Sequence, residues 1–341
     1  MTRLLRLLSC LVLLAVLLYG AGPAHAQSRA AVSLGTSTVG ARFHILAVGM
    51  GDTVSRNSDV SVTVEPIGGS DANVRALAAK RIELALLNSL AGTHGYHGSG
   101  SFKKDGKIPL RLMFQGGLGA RAIVARADRG IKTPADLKGK TVQAKRKSLA
   151  DLEAFTKAVM RTYGIPESEV KILKHGNTNE QLESLKLGAA DAVVMPFGSP
   201  KTSSPPLRRL AQTIDLVVIP IPGDKASEIL KDPLLNGYRT ATLAKGAIKG
   251  MDSAVDSLAV GTFTATRADM PDDVIYKVTK AFFENLKQFY PVHASAKQYT
   301  LKGSLANPTI PFHPGAIRYY KEIGAWTPEL AKKQKEMLAN Q

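Results

Sequence analysis

Two stretches of this chain echo each other. LAAKRIELALL, Leu77 to Leu87, and LKLGAADAVVM, Leu185 to Met195, each carry the end of a helix and a tight connection; six residues beyond the leucine, an acid (Glu83 or Asp191) then opens an apolar strand. Any two helix-to-strand connections share some of this pattern, but the echo favours two similarly built lobes. Helix and strand signals alternate elsewhere too, which makes the expected class α/β. Ala31 to Leu34 reads as a short strand, Val60 to Val64 as another, and Asp71 to Ala79 carries Val74, Leu77 and Ala78 at helical spacing.

Between the two copies, Leu110 to Phe114 and Ala122 to Ala125 read as strands on either side of a glycine-rich turn. Thr133 caps and Pro134 opens a short helix beyond them. The chain is expected to cross between lobes near Arg121 and to return along an alternating strand, Leu258 to Thr264. The long helix predicted for Asp272 to Phe289 follows, with Val274, Ile275, Val278, Ala281, Phe282, Leu286 and Phe289 on one face. The expected division is a leader over 1–26, a first lobe from 27–121 and 259–341, and a second lobe from 122–258.

The leader is read from Arg3 and Arg6, the apolar run Leu7 to Leu18 and the triplet Ala24-His25-Ala26, which together have the form of a secretory signal cleaved after Ala26. The run is shorter than the roughly 18 residues of a spanning helix. Export implies a periplasmic protein. Cys10 is the only cysteine and lies in the leader, so disulfides and thiolate chemistry are excluded from the mature chain. Loss of Arg3 and Arg6 lowers the net charge from +17 to +15. In an exported protein such charge points to small acids or cell-surface polymers rather than to nucleic acid. Aromatics make up only 6% of the sequence and are not interleaved with the basic residues, which also argues against nucleic-acid binding.

Phosphate-cradling, zinc-hydrolase and serine-elbow signatures are absent from the sequence. His94 and His97 sit among glycines with no acidic or cysteine neighbour and read as loop residues rather than metal ligands. Asp269, Asp272 and Asp273 are explained by the helix that begins beside them. No enzyme activity, cofactor or metal is expected.

Two loops suit ligand capture. In LGTSTVGARFHILAVG, Thr36, Ser37 and Thr38 lie among glycines between a strand and a helix that begins near Phe43. In EPIGGSDANVRAL, Gly68 and Gly69 permit close backbone approach, and Ser70 and Asn73 stand at the helix entrance. Free N–H groups and hydroxyls in such places bind carboxylates, although the same residues also make ordinary capped turns.

These two loops, together with IVARADRGIKTPADLKGKTV, GAADAVVMPFGSP and HPGAIRYYKEIGAW, resemble in order the TAXI family of solute-binding proteins, receptors of TRAP transporters. The resemblance covers nearly the whole mature chain. It implies a type II periplasmic-binding-protein fold, two α/β lobes joined by a hinge with a ligand cleft between them. It places Thr36, Ser37, Thr38, Ser70 and Asn73 at the site, with Asn88 and Ser89 where the family has Gln-Ser, and Pro196 and Phe197 on the second lobe. Where the family carries a small residue and two tyrosines, this chain has Ala41-Arg42-Phe43-His44, so Arg42 and Phe43 join the candidates.

The larger departure is Ala144-Lys145-Arg146-Lys147-Ser148-Leu149, which stands where the family has a glycine-rich turn. Arg146 or Lys145, with Ser148 as helix N-cap, is expected to clamp an anion; a merely solvated triplet is the alternative. The resemblance implies a monomeric receptor that delivers a small organic anion, an acidic amino acid or a 2-oxo dicarboxylate, to membrane transporter subunits. Alternatives are the receptor of an ATP-driven importer, a ligand-sensing periplasmic protein, or an enzyme on the same scaffold.

Overall fold

A computed structural model describes residues 29–339. The leader expected over 1–26 lies outside them. The described chain begins with β1 (Ala30–Ser37), α1 (Arg42–Arg56), β2 (Val60–Gly68), α2 (Ser70–Ala78), β3 (Leu84–Asn88), α3 (Ser89–His97) and β4 (Leu110–Arg126). It continues through β5 (Thr141–Lys145), α4 (Asp151–Thr162), β6 (Lys171–Lys174), α5 (Thr178–Lys186), β7 (Ala192–Ser199), β8 (Thr202–Ser203), α6 (Pro205–Leu210), β9 (Leu216–Ile219), α7 (Gly223–Ile229) and β10 (Tyr238–Leu243). It then returns along β11 (Val255–Arg267) to α8 (Asp272–Glu284), α9 (Leu286–Phe289), α10 (Leu301–Leu305), α11 (Pro314–Glu322) and α12 (Pro328–Ala339). This is the α/β class expected from the alternation of signals.

The strands lie in the order β2-β1-β3-β11-β4-β7-β5-β6, with β9 beside β4 and β10 beside β11. One plan is used twice. The first half runs β2-β1-β3, then the incoming β11, then β4; the second runs β6-β5-β7, then the incoming β4, then β9. β1 and β3 are parallel, as are β5 and β7, while the crossing strands are antiparallel to their neighbours. β4 and β11 meet over both halves, with Arg121 opposite Leu258.

The echoed segments occupy equivalent places in this plan. Glu83 precedes β3: its carboxylate accepts the Ser33 N–H of β1 at 2.9 Å, and its own N–H donates to the Ser33 carbonyl. Asp191 precedes β7 and makes the same pair of bonds to Thr141 of β5, the carboxylate accepting at 2.9 Å. The carbonyls of both acids accept from the crossing strands, Glu83 from the Thr266 hydroxyl and Asp191 from the Arg126 N–H. The repeated acid therefore pins three strands together at the same corner of each half.

β7 is buried on both faces. Ala192 and Val194 pack with Leu152, Phe155 and Val159 of α4, whereas Val193, Met195 and Phe197 face Leu182, Leu185 and Leu207.

Two local expectations are corrected. The glycine-rich segment after Phe114 is not a turn: β4 is one strand of 17 residues. A Cβ at Gly116 would collide with the Tyr299 ring, one at Gly117 with the Gln298 side chain, and one at Gly119 with the Arg42 guanidinium. The glycines make room for side chains rather than for a bend. The long helix also stops at Glu284. Asn285 leaves helical dihedrals while its side-chain amide donates to the Ala281 carbonyl, and α9 then resumes. This break brings Phe289 edge-on to Phe282 at 5.0 Å.

Because each acid satisfies a backbone donor inside the sheet, Glu83→Ala and Asp191→Ala should each lower stability in urea unfolding by about 1–3 kcal/mol. Asp191→Asn keeps an acceptor and should lose less. Equal losses for Asn and Ala would count against the bond to Thr141.

Candidate functional site

A cavity of about 50 Å³ lies where the C-terminal ends of β1, β2, β5 and β7 come together with the starts of α1, α2 and α5. Ser37, Ala41, Arg42, Phe43, Gly68, Gly69 and Ser70 line it from the first half. Arg146, Leu149, Thr178, Pro196, Gly198, Ser204 and Pro206 line it from the second, and Arg121 stands at the crossing. Such strand ends are where open α/β sheets place ligands.

Of the residues expected at a site, Ser37, Arg42, Phe43, Ser70, Arg146 and Pro196 line this cavity. The others hold its walls. Asn73 donates to the Leu86 carbonyl at 3.0 Å and ties α2 to β3. The Asn88 side chain caps α3 by accepting the Ala91 N–H at 2.7 Å, and its own backbone N–H donates to the Ser70 hydroxyl at 2.9 Å. Thr36 is fully buried, and Ser89 lies against Gly261 of β11. Phe197 points the opposite way from Pro196 along β7, into the core. Ser148 is not the helix cap: α4 begins at Asp151 with Ala150 as its cap, because a turn seats Leu149 in the core first. The Ser148 hydroxyl instead accepts from Arg146 Nε at 2.8 Å.

The basic triplet divides into three roles. Lys145 pairs with Glu153 at 2.8 Å, Lys147 is exposed, and Arg146 is 3% exposed. Arg146 donates to Ser148 and Thr178 in its own half and to Thr38 and the Gly68 carbonyl in the other. It is thus a bridge between halves, with every partner uncharged. Burial, followed by the positive charge of Arg121 working against the attraction of Asp151, brings its pKa down to about 10. Beside it, burial and the Arg146 charge hold His175 down to about 4, so that ring is neutral.

Arg42 is the second buried guanidinium. It stacks over the Phe43 ring at 4.6 Å and donates to Thr262 at 3.4 Å, while its Nη1 has no hydrogen-bond partner. Burial draws its pKa down to about 10; Tyr299 partly offsets this and Arg121 adds to it. The Ser37 and Ser204 hydroxyls also lack partners. Arg121, by contrast, is neutralised: its Nε donates to Asp151 at 2.7 Å, and the Tyr238 hydroxyl donates to the same carboxylate oxygen. Two positive charges that bond no carboxylate therefore face the cavity, with Asp151 and Glu180 attracting Arg146 from farther away.

Helix ends add to this field. Ala41 and Gly69, both in the lining, cap α1 and α2 without any side-chain hydrogen bond, whereas Asn88 and Asn177 supply one to α3 and α5. The start of α1, without a side-chain cap, favours an anion at the cavity; at α2 the Ser148 carbonyl takes the Asp71 N–H.

Sequence reasoning missed Arg121, Leu149, Thr178, Ser204 and Pro206. The signal for Arg121 was present, since a lone charge flanked by Ala120 and the run Ala122 to Ala125 in a buried strand demands a partner.

Next to the cavity the halves touch backbone to backbone. A Cβ at Gly69 would overlap the Ser148 carbonyl, and that carbonyl accepts the Asp71 N–H at 3.2 Å. The Asp71 carboxylate accepts the Ala150 N–H at 3.0 Å and a bond from the Ser101 hydroxyl. Burial, with a smaller push from Asp151, raises its pKa from 3.8 to about 6 against these bonds. An unfolded chain releases this proton near 3.8 and the folded one near 6. Folded protein therefore holds more protons in that window, and stability falls as pH rises through it, by on the order of 3 kcal/mol. Asp71→Asn should melt higher than the parent above pH 6 and lose that advantage below about pH 4. Calorimetry across this range checks the prediction; a difference that grows on acidification would contradict it.

Residues 34–324 match the model of the NMT1-like family. Among solved structures, a protein from Bordetella bronchiseptica RB50 is similar, with 14% identity, coverage of 89% of this chain and 92% of that one, and a TM-score of 0.52. An ancestral arginine-binding protein bound to arginine shows 18% identity over 80% of this chain and 100% of its own, with a TM-score of 0.48. For the periplasmic aliphatic sulphonate binding protein of Escherichia coli the figures are 13%, 90%, 85% and 0.43. At these identities the likeness concerns the fold alone, a mixed α/β architecture. With the family model matched over most of its length, this chain belongs to the NMT1-like family.

Proposed function

We propose that the protein is a periplasmic solute receptor of the TAXI class, exported by a signal cleaved after Ala26, which captures a small organic anion and delivers it to a TRAP-type membrane transporter. The observation that carries this reading is the pair of buried guanidiniums, Arg42 and Arg146, whose protein partners are all uncharged and which face one cavity from the two halves of the sheet. Buried charge of one sign is costly unless matched, and an anion supplies the match. The start of α1, which lacks a side-chain cap, supports the same sign of ligand.

In this reading residues 27–121 and 259–341 form one lobe and 122–258 the other, and β4 and β11 serve as the hinge. Ligand touching both lobes favours the closed arrangement to the extent that it contacts closed better than open. Arg42 is the anchor on the first lobe. Arg146 already bonds across the cleft, so it contributes closure as well as charge.

Native mass spectrometry of protein purified without refolding should find a small anionic adduct. Small-angle scattering should show a smaller radius of gyration with that anion than without it. An unchanged profile at saturating anion would count against a receptor that closes. Arg42→Gln removes a charge-assisted bond of roughly 1.5–3 kcal/mol and should weaken binding about ten- to a hundred-fold in calorimetric titration. Lys147→Ala, at an exposed position, should leave binding unchanged.

A further inference from the structure

The charges in the cavity's wall restrict what it can hold.

The lining residues include no aspartate or glutamate. Asp151, the acid beside Arg121, gives one carboxylate oxygen to both Arg121 and Tyr238, which leaves that pair electrically neutral. An α-amino acid entering here would bury its ammonium without a carboxylate to receive it, and an unpaired buried charge is strongly disfavoured. A carboxylate facing Arg42 and Arg146 meets the opposite situation. Both guanidiniums are nine-tenths buried or more, their protein partners are neutral, and Arg42 Nη1 together with the hydroxyls of Ser37 and Ser204 has no protein partner. Two guanidiniums that bond no carboxylate favour two negative charges in the ligand.

We infer that the site takes a dianion lacking an ammonium group, held by Arg42, Arg146, Ser37 and Ser204. This inference rests on the receptor reading above and narrows its ligand class to doubly charged oxyanions, dicarboxylate or tetrahedral. The absence of an acid from the wall discriminates against amino acids.

Isothermal titration of the mature chain with malonate, sulfate, acetate, glutamate and 2-oxoglutarate tests this. Malonate, 2-oxoglutarate or sulfate is expected to bind at least tenfold more tightly than glutamate or acetate, and the strongest of the three identifies a dicarboxylate or a tetrahedral oxyanion. Arg42→Gln should weaken that binding at least tenfold, with its far-ultraviolet dichroism unchanged as the check on folding. Glutamate binding as tightly as the strongest of these dianions would overturn the inference while leaving a receptor for anions in place. Acetate matching the dianions would overturn the charge count, and binding unaffected by Arg42→Gln would place the anion elsewhere. No binding by any of the anions, with no adduct in native mass spectrometry, would remove the receptor reading as well.

Discussion

Three guanidinium groups withdrawn from water set the terms for the middle of this molecule. A buried guanidinium cannot shed its proton at neutral pH, so its charge must be met where it lies. Arg121 is met within the protein by Asp151 and Tyr238. Arg42 and Arg146 are met by hydroxyls, a carbonyl and an aromatic face, all neutral. Their pKa values of about 10 express that incomplete compensation. The cavity is the place where the remainder can be supplied from outside.

The same interactions govern how the halves meet. Arg146 reaches Thr38 and Gly68, and Asp71 reaches Ala150, so each half extends one charged side chain to the other. Between these contacts Gly69 lies against the Ser148 carbonyl, an approach that a side chain would forbid. The two clasps differ in cost. Asp71 carries its charge at a penalty that accrues between about pH 4 and pH 6 and is full above it, whereas Arg146 stays charged throughout the physiological range. Beside the cavity, contact between halves thus includes polar bonds that water can replace.

Much of this plan was legible in the sequence. The echo around Glu83 and Asp191 marked the same corner in two half-sheets because the acid does the same work in each, closing a backbone donor of the first strand. The loops after β1 and β2 were legible because glycine, serine and threonine are needed at a strand end that opens onto a helix start. What escaped was information that exists only across the chain. Glycines in β4 read as a turn because their reason, the Tyr299 ring, lies far along the sequence. Thr178 enters the cavity from the start of α5, and Ser204 and Pro206 from the start of α6, two helix starts that local pattern cannot align. Phe197 and Pro196 are neighbours in sequence but face opposite sides of a strand buried on both, where no alternation of polarity marks the cavity face.

Arg42 shows how these threads join. It stands at the first turn of α1, in a position that any helix could fill with a surface residue. Its guanidinium can lie inward because Gly119 clears the space over β4, and Gly117, two residues away, accepts from the Thr262 hydroxyl that Arg42 itself bonds. A side chain at Gly119 would displace the guanidinium. The charge in the cavity, the glycines in the crossing strand and the uncapped start of α1 are thus parts of one arrangement. The crossing strand that links the two halves of the sheet is the same strand that makes room for the charge facing the cavity between them.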